Sequence, residues 1–128
     1  STALGLEYQI LDDKVHPDAK AGAASNRTCA SLYDLIPSYR EVSTRKVPVN
    51  IDNWNHGRIV VRPNNRVEHW LNGFKVVQYD RGNNIYHALV ARSKYAGKEG
   101  FGLGEKGYIA LTDHHDKVSF RSIKIREL

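Results

Sequence analysis

The chain has 128 residues, of which 41% are apolar and 26% charged, proportions typical of one globular domain. No apolar run approaches the roughly 18–20 residues that cross a bilayer, and the single cysteine, Cys29, excludes an internal disulfide and a cysteine-rich zinc site. The net charge is +5, but the basic residues are spread singly along the chain. This spacing indicates a mildly positive solvated surface rather than a nucleic-acid-binding site.

The N-terminal part of the chain predicts a strand followed by a long loop. Residues 5–11 are rich in β-forming side chains, and their alternation would place Glu7 and Gln9 on one face of a strand. Residues 14–30 contain proline, glycine and asparagine, which predict a loop with at most a helical turn. Residues 31–36 form a second apolar segment, closed by a proline.

The clearest structural pattern is a three-stranded antiparallel meander in the middle of the chain. Residues 58–62, 66–71 and 74–79 each have the composition of a strand. The first two are separated by a Pro-Asn-Asn turn. The last two are joined by Asn72 and Gly73, a pair that favours a two-residue hairpin because both positions tolerate positive φ.

The C-terminal part predicts a helix, a loop and two more strands. Residues 85–95 have the apolar spacing of a short helix, and a glycine-rich loop follows without the motif of a phosphate-binding loop. The patterns of residues 107–112 and 118–125 predict strands, and in the second segment apolar and polar residues alternate regularly. Six or seven strands and one short helix near 85–95 predict an all-β, antiparallel β-sandwich.

Polar side chains crowd the end of the first predicted strand. Glu7, Gln9, Asp12, Asp13 and His16 lie within ten residues. Carboxylates beside a histidine are typical of acid–base catalysis, or of a cation bound through oxygen. The alternative is structural: the two aspartates cap a turn and the histidine lies in an exposed loop.

A second polar cluster consists of Asp113, His114, His115 and Asp116. Adjacent histidines on a turn point in different directions, unlike the i, i+4 pair of a zinc helix, so we predict neither a metal nor a cofactor. Asp113 and His114 are better suited to the rim of a cleft, where they would bind a polar ligand by hydrogen bonds.

The two tryptophans are candidates for binding a sugar ring. Glu68 and Trp70 share one strand face, and an exposed indole beside a carboxylate is suited to stacking on a pyranose ring. The alternative places Trp70 in the core, and Trp54 raises the same question. Arg58 and Arg62 also share a face, where they would form cross-strand ion pairs with Glu68.

Motifs along essentially the whole chain, in one order, resemble the bacterial 3-keto-disaccharide hydrolase domain family. These motifs are GLEYQILDD (5–13), HPDA (16–19), SLYDLIP (31–37), WNHGRIVV (54–61), VEHWLNGFKVVQY (67–79), SKY (93–95) and the closing segments GYIALTDH and VSFRSIKIREL.

The resemblance implies a jelly-roll sandwich like that of the concanavalin A-like lectins and glucanases, in a periplasmic, secreted or lipid-anchored bacterial protein. It also implies a carbohydrate substrate and cleavage of glycosidic bonds in 3-keto sugars. The catalytic residues that we expect are Glu7, His69, Asp113 and His114. The substrate-binding residues that we expect are Gln9, Asp12, Asp13, Arg58, Trp70, Lys94 and Arg121.

A ketone at C3 acidifies the hydrogen at C2, so the bond could break by base-assisted elimination and water addition. That chemistry requires one base and one oxyanion stabiliser, and the chain has no nucleophile motif. Glu7 or His69 would be the base, and Arg58 or Lys94 the stabiliser. A non-catalytic carbohydrate-binding module is the alternative function, and an interaction domain of a larger exported protein is a third.

Two departures from the family pattern are present. The family has Gln before the Asp-His pair and Gly after it, where this chain has Thr112 and His115. Strands that precede the GLEYQ segment in the family are absent, and the chain has no methionine. We therefore expect residues 1–128 to form the C-terminal larger part of a single domain. An N-terminal segment or another chain would complete the sandwich, and without it an unpaired edge or an exposed apolar face would remain.

Overall fold

The structure, a computed structural model, describes the backbone of residues 4–39, 41–42 and 45–128 and the side chains of residues 4–39 and 47–128. Antiparallel strands dominate its regular structure, consistent with an all-β chain. In chain order the elements are α1 (Pro17–Ala21), a 3₁₀ turn (Ala23–Ser25), β1 (Glu41–Val42), β2 (Arg45–Lys46), β3 (Gly57–Val61), β4 (Arg66–Leu71), β5 (Phe74–Asp80) and α2 (Asn84–Ala91).

The predicted meander is confirmed as the sheet β3-β4-β5. Asn72 and Gly73 form its hairpin, with φ of +49° and +85°. The β4–β5 register shifts between His69 and Trp70, so that Val76 has no partner on β4. A bulge of this kind adds one residue to a strand and increases its local twist. Val76 and its neighbour Val77 are consequently both buried, although alternation alone would expose one of them.

The core lies on one face of this sheet. The β4 residues Val67, His69 and Leu71 point into it and are covered by the N-terminal segment and by α2. Tyr8 lies across the sheet, and its hydroxyl donates to the Trp70 carbonyl at 2.9 Å. Burial of apolar side chains at about 25 cal/mol per Å² stabilises this face.

The strand predicted over residues 5–11 is wrong. Its only ladder contact within the described residues is an isolated antiparallel bridge between Tyr8 and Leu32. Residues 31–36, the second apolar segment, form a turn, and Ala30 and Asp34 take φ of +66° and +61°. These left-handed residues end the pairing on both sides of the bridge.

Both helices begin with side-chain caps. His16 caps α1, where its Nδ1 accepts from the Asp18 N–H at 3.2 Å. This helical turn lies inside the segment predicted as a loop. Asn83 caps α2, where its Oδ1 accepts from the Tyr86 N–H at 2.8 Å. The predicted helix at 85–95 is confirmed but shorter, because a turn that bonds the Ser93 hydroxyl to the Val90 carbonyl follows it.

The strands predicted over residues 107–112 and 118–125 are not formed in the structure. Neither segment is hydrogen-bonded into a sheet. Ile109 and Ile125 are each 77% exposed, and Leu111 and Ile123 are also exposed. Alternating residues form a strand only where a neighbour accepts their backbone hydrogen bonds, and the described residues supply none. The jelly-roll sandwich therefore stays a prediction.

In the part of the chain that the structure describes, no helix has the length and apolar character needed to cross a membrane.

Candidate functional site

Glu7 and Tyr95, 88 positions apart, are joined by a hydrogen bond. The Tyr95 hydroxyl donates to Oε1 of Glu7 at 3.0 Å. The Lys94 ammonium lies 4.4 Å from the centre of the Tyr33 ring and 5.2 Å from that of Tyr95. Glu7 and Lys94 are exposed, whereas both rings are buried. We call these four residues the Glu7–Lys94 cluster; in it, an exposed carboxylate and an exposed ammonium both contact the buried Tyr95 side chain.

Local hydrogen bonds bring the two halves of the cluster together. The carbonyl of Glu7 accepts from the Tyr33 N–H at 3.0 Å, which ties the N-terminal segment to the turn at 31–36. After α2, the Ser93 hydroxyl accepts from the Tyr95 N–H at 3.1 Å and turns the chain. The ring of Phe101 then stacks on Tyr95 with centroids 3.9 Å apart and planes 15° apart. These contacts fix the Tyr95 hydroxyl beside Glu7.

A network of carboxylates and one guanidinium lies next to the cluster. Arg27 donates from Nε to Asp34 at 2.7 Å and from Nη1 to Asp18 at 3.1 Å. The other oxygen of Asp18 accepts from Gln9 at 3.4 Å. The second oxygen of Asp34 accepts from the Lys94 backbone N–H at 2.7 Å. Charge-assisted bonds of this length are among the stronger hydrogen bonds in proteins.

Burial and charge keep the tyrosines of the cluster protonated. Burial, followed by a hydrogen bond to Asp18, raises the pKa of Tyr33 to about 12. Burial, followed by the charge of Glu7, raises the pKa of Tyr95 as well. Tyr95 is therefore a permanent donor to Glu7 and orients that carboxylate. An oriented carboxylate can remove a proton from a substrate, and an ammonium can stabilise the anion that results.

His16 joins the N-terminal segment to the C-terminal polar cluster. Its Nε2 lies 3.4 Å from a carboxylate oxygen of Asp116, and its ring centroid lies 6.1 Å from that of His114. Because Nδ1 accepts at the helix cap, Nε2 carries the proton that faces Asp116. Among the described residues, no group of three or more His, Cys, Asp or Glu side chains is arranged to hold a metal ion.

The predicted aspartates all accept backbone hydrogen bonds. Asp12 accepts from the N–H of Lys14 at 2.9 Å, as in the turn cap considered above. Asp13 accepts from the N–H of Cys29 at 2.7 Å, and Asp113 from that of His115 at 3.1 Å. The binding and catalytic roles predicted for these three stay predictions.

Each tryptophan has a guanidinium over its ring. The Arg58 Cζ lies 4.3 Å from the ring centre of Trp70, and that of Arg121 lies 4.0 Å from Trp54. The Trp70 indole N–H donates to Glu68 at 2.9 Å, and this bond is the main cause of the lowered pKa of that carboxyl. Arg58 therefore stacks on an indole instead of forming the predicted ion pair.

The predicted ion pair between Arg62 and Glu68 is present, with Nε 3.6 Å from a carboxylate oxygen.

His69 lies in the core. It is 2% exposed, its Nδ1 is 2.9 Å from the carbonyl of Ala30, and its ring contacts that of Tyr8. Since a carbonyl only accepts, Nδ1 carries the proton. Burial lowers the pKa of His69, so the ring is neutral near pH 7. The two predicted bases therefore differ in their access to solvent, because Glu7 is exposed and His69 is buried.

The structure brings three predicted site residues into one region: Glu7, Gln9 and Lys94. It places Arg58 and Trp70 on the sheet face. The residues that sequence reasoning missed are Asp18, Arg27, Tyr33, Asp34 and Tyr95. Four of these lie inside motifs that carry the family resemblance, namely HPDA, SLYDLIP and SKY. Their place in these motifs is the feature by which the sequence could have identified them. Arg27 has no such feature.

Comparison with known proteins agrees with the family that the motifs predicted. A family model described as the 3-keto-alpha-glucoside-1,2-lyase-like domain matches residues 1–126. A curated protein from Bacteroides thetaiotaomicron, named 3-keto-disaccharide hydrolase, is 35% identical over 95% of this chain and 43% of its own length.

Among solved structures, one from Parabacteroides distasonis, described as a candidate glycosyl hydrolase, has the same fold over 79% of this chain, with a TM-score of 0.58 and 20% identity. The chain spans 46% of that structure and 43% of the Bacteroides protein, which is less than half of each relative. The match over residues 1–126 nevertheless covers nearly every motif described above, and the chain belongs to the 3-keto-alpha-glucoside-1,2-lyase-like domain family.

Proposed function

We propose that the protein cleaves the glycosidic bond of 3-keto-disaccharides or related glycosides, with Glu7 as the base and Lys94 as the oxyanion stabiliser. Family membership and the name of the Bacteroides relative support a function of the glycosyl hydrolase type. The observation that carries the residue assignment is the Glu7–Lys94 cluster, in which an oriented, exposed carboxylate and an exposed ammonium contact the same buried tyrosine, Tyr95. Glu7 is preferred to His69 because a substrate reaches an exposed carboxylate without opening the core.

The proposed reaction is an elimination followed by an addition. Glu7 removes the proton from C2, and the electron pair forms an enolate whose oxygen at C3 faces the Lys94 ammonium. The enolate expels the C1 oxygen, which takes up the proton as the leaving sugar, and a C1–C2 double bond forms. Water then adds at C1 and a proton returns to C2, which gives the free 3-keto sugar. No covalent enzyme intermediate is required, in contrast to retaining glycosidases.

The test is turnover of 3-keto-trehalose by the full-length protein and by two carboxylate variants. Glu7→Gln keeps an acceptor for Tyr95 but removes the base, so kcat should fall by about 10²–10⁴-fold. Glu105→Gln, at an exposed carboxylate in the C-terminal segment, is the matched control and should retain activity. Deuterium at C2 should slow the wild-type reaction. Full activity in Glu7→Gln would refute the assignment.

The alternative function is a non-catalytic carbohydrate-binding module. Trp54, 43% exposed, favours it because an indole can stack on a sugar ring. The guanidinium of Arg121 already lies over that indole, so a sugar must use its other side or displace the arginine. Calorimetry with unoxidised disaccharides separates the two functions, because a binding module gives saturable heat without turnover.

We also propose that a preceding N-terminal segment completes the sandwich, with another chain as the alternative. The exposed apolar residues of 107–112 and 118–125 support this arrangement, because alternating side chains of this kind stabilise a strand only once they are covered. Hydrogen exchange tests it: the amides of both segments should be protected in the full-length protein. Rapid exchange of these amides there would contradict the proposal. The periplasmic or secreted location stays a prediction, which cell fractionation would test.

A further inference from the structure

Asp34 divides its carboxylate between two segments of the chain. One oxygen accepts from Nε of Arg27 at 2.7 Å, and the other accepts from the backbone N–H of Lys94 at 2.7 Å. The residue is 8% exposed, although it carries a charge. A buried carboxylate is costly unless its oxygens are satisfied, and here each oxygen accepts a short hydrogen bond.

The backbone also fixes Asp34. Its φ is +61°, in the left-handed region, and its N–H donates to the carbonyl of Asn26 at 2.9 Å. A non-glycine residue is held there only when its surroundings determine the conformation. Arg27 is held in turn by Asp18, at 3.1 Å. The carboxylate of Asp34 is therefore a rigid anchor for whatever it binds.

What it binds is the backbone of the residue proposed to stabilise the oxyanion. The Lys94 ammonium is held over the Tyr33 ring by a cation–π contact, and no carboxylate of the described residues lies within ion-pair distance of it. A lysine side chain has four rotatable bonds, so its direction depends on a fixed backbone origin. The hydrogen bond to Asp34 fixes the Lys94 backbone, and the cation–π contact with Tyr33 orients the Lys94 side chain.

We propose that Asp34 is a positioning residue that holds Lys94 so that its ammonium faces the enolate oxygen formed at C3. This inference rests on the proposed function. Asp34 touches no reacting atom in this arrangement and acts only through the backbone of Lys94. A misplaced ammonium would bind the substrate nearly as before but would stabilise the developing charge less, so the loss should fall on kcat rather than on KM.

Kinetics of Asp34→Ala, Lys94→Ala and the double variant test the inference in the full-length protein. A displacement of about 1 Å at a reacting site can cost about 10²-fold in rate, so we expect Asp34→Ala to lower kcat by about 10–100-fold with little change in KM. The double variant should be no slower than Lys94→Ala, because the anchor has no effect once the ammonium is gone. Losses that multiply, or an unchanged kcat in Asp34→Ala, would overturn the inference.

Asp34→Asn tests the same inference if Asp34→Ala does not fold. Its amide oxygen can still accept from the Lys94 N–H, but its NH₂ group faces the N–H of Arg27, so a smaller fall in kcat is expected. The matched control is Asp80→Asn, which breaks the surface pair with Arg66 and should leave kcat unchanged.

A readout independent of turnover separates this inference from the proposed function. In protein labelled with ¹⁵N-lysine, the amide proton of Lys94 should resonate at low field, because it bonds to a charged carboxylate, and should move upfield in Asp34→Asn. An unmoved Lys94 amide would overturn the inference whatever the activity. If the amide moves but wild-type protein fails to turn over 3-keto sugars, the proposed function fails instead, and the positioning role in that reaction fails with it.

Discussion

Gly102 allows the glycine-rich loop to cross directly over Tyr86 of α2. Its φ is +69°, and a Cβ at this position would lie 2.8 Å from side-chain atoms of Leu6 and in hard contact with the Tyr86 hydroxyl. That hydroxyl donates to the carbonyl of Phe101 at 2.7 Å, and Tyr86 is 2% exposed, so it has little room to move. Gly102→Ala must therefore displace a buried ring. Gly100 has nearly the same φ, +67°, and open space around its Cβ position, which makes it a matched control.

The two substitutions should differ by their steric cost. An L-residue in the left-handed region costs about 1–2 kcal/mol, and the reduced entropy of the unfolded chain offsets about 0.4–1 kcal/mol of this. Gly100→Ala should then destabilise the protein by at most about 1.6 kcal/mol. Gly102→Ala adds about 1–3 kcal/mol for overpacking. We expect a total loss of about 1–4.6 kcal/mol for Gly102→Ala, always larger than that of Gly100→Ala by the overpacking cost.

Urea denaturation measures both losses as shifts in the midpoint at constant m. Tyr86→Phe provides an internal check, because it removes the atom in hardest contact with the new methyl group but leaves the Phe101 carbonyl without its donor. The double variant with Gly102→Ala should therefore lose less stability than the sum of the single variants. Equal losses for Gly100→Ala and Gly102→Ala would refute the close approach of loop and helix.

Two further outcomes follow from buried rings. Because burial lowers the pKa of His69 below 6.5, only the unfolded chain takes up its proton as the pH falls below that value. The free energy of unfolding should then decrease as the pH falls through about 6.5, by up to about 1.4 kcal/mol per pH unit, until the pH reaches the lowered pKa of the folded state. His69→Asn should remove this slope, and the exposed His56→Asn should keep it; an unchanged slope in His69→Asn would contradict the burial argument. Tyr95→Phe removes the donor to Glu7, and kcat should fall about tenfold, the equivalent of about 1.4 kcal/mol. An undiminished kcat would mean that this hydrogen bond does not orient the base.

The sequence alone determined the meander, its hairpin and the family. Each strand of the meander is next to its partner in the chain, and Asn72-Gly73 sets the register through its own backbone preference. Helix α2 was likewise predicted from a local feature, the apolar spacing of residues 85–95. The bulge at Val76 was not predicted, because no glycine or turn residue in β5 indicates it.

Contacts between distant parts of the chain determine which polar residues meet. Glu7 is 88 positions from Tyr95, and no local preference relates the N-terminal segment to the turn after α2. Contacts across the core bring them together, and the same contacts buried His69, which the sequence could not distinguish from Glu7 as a base. The C-terminal alternation shows the limit of sequence reasoning most clearly. A period of two predicts which residues would share a face, but a strand exists only when a neighbour binds its backbone, and that neighbour is a property of the fold.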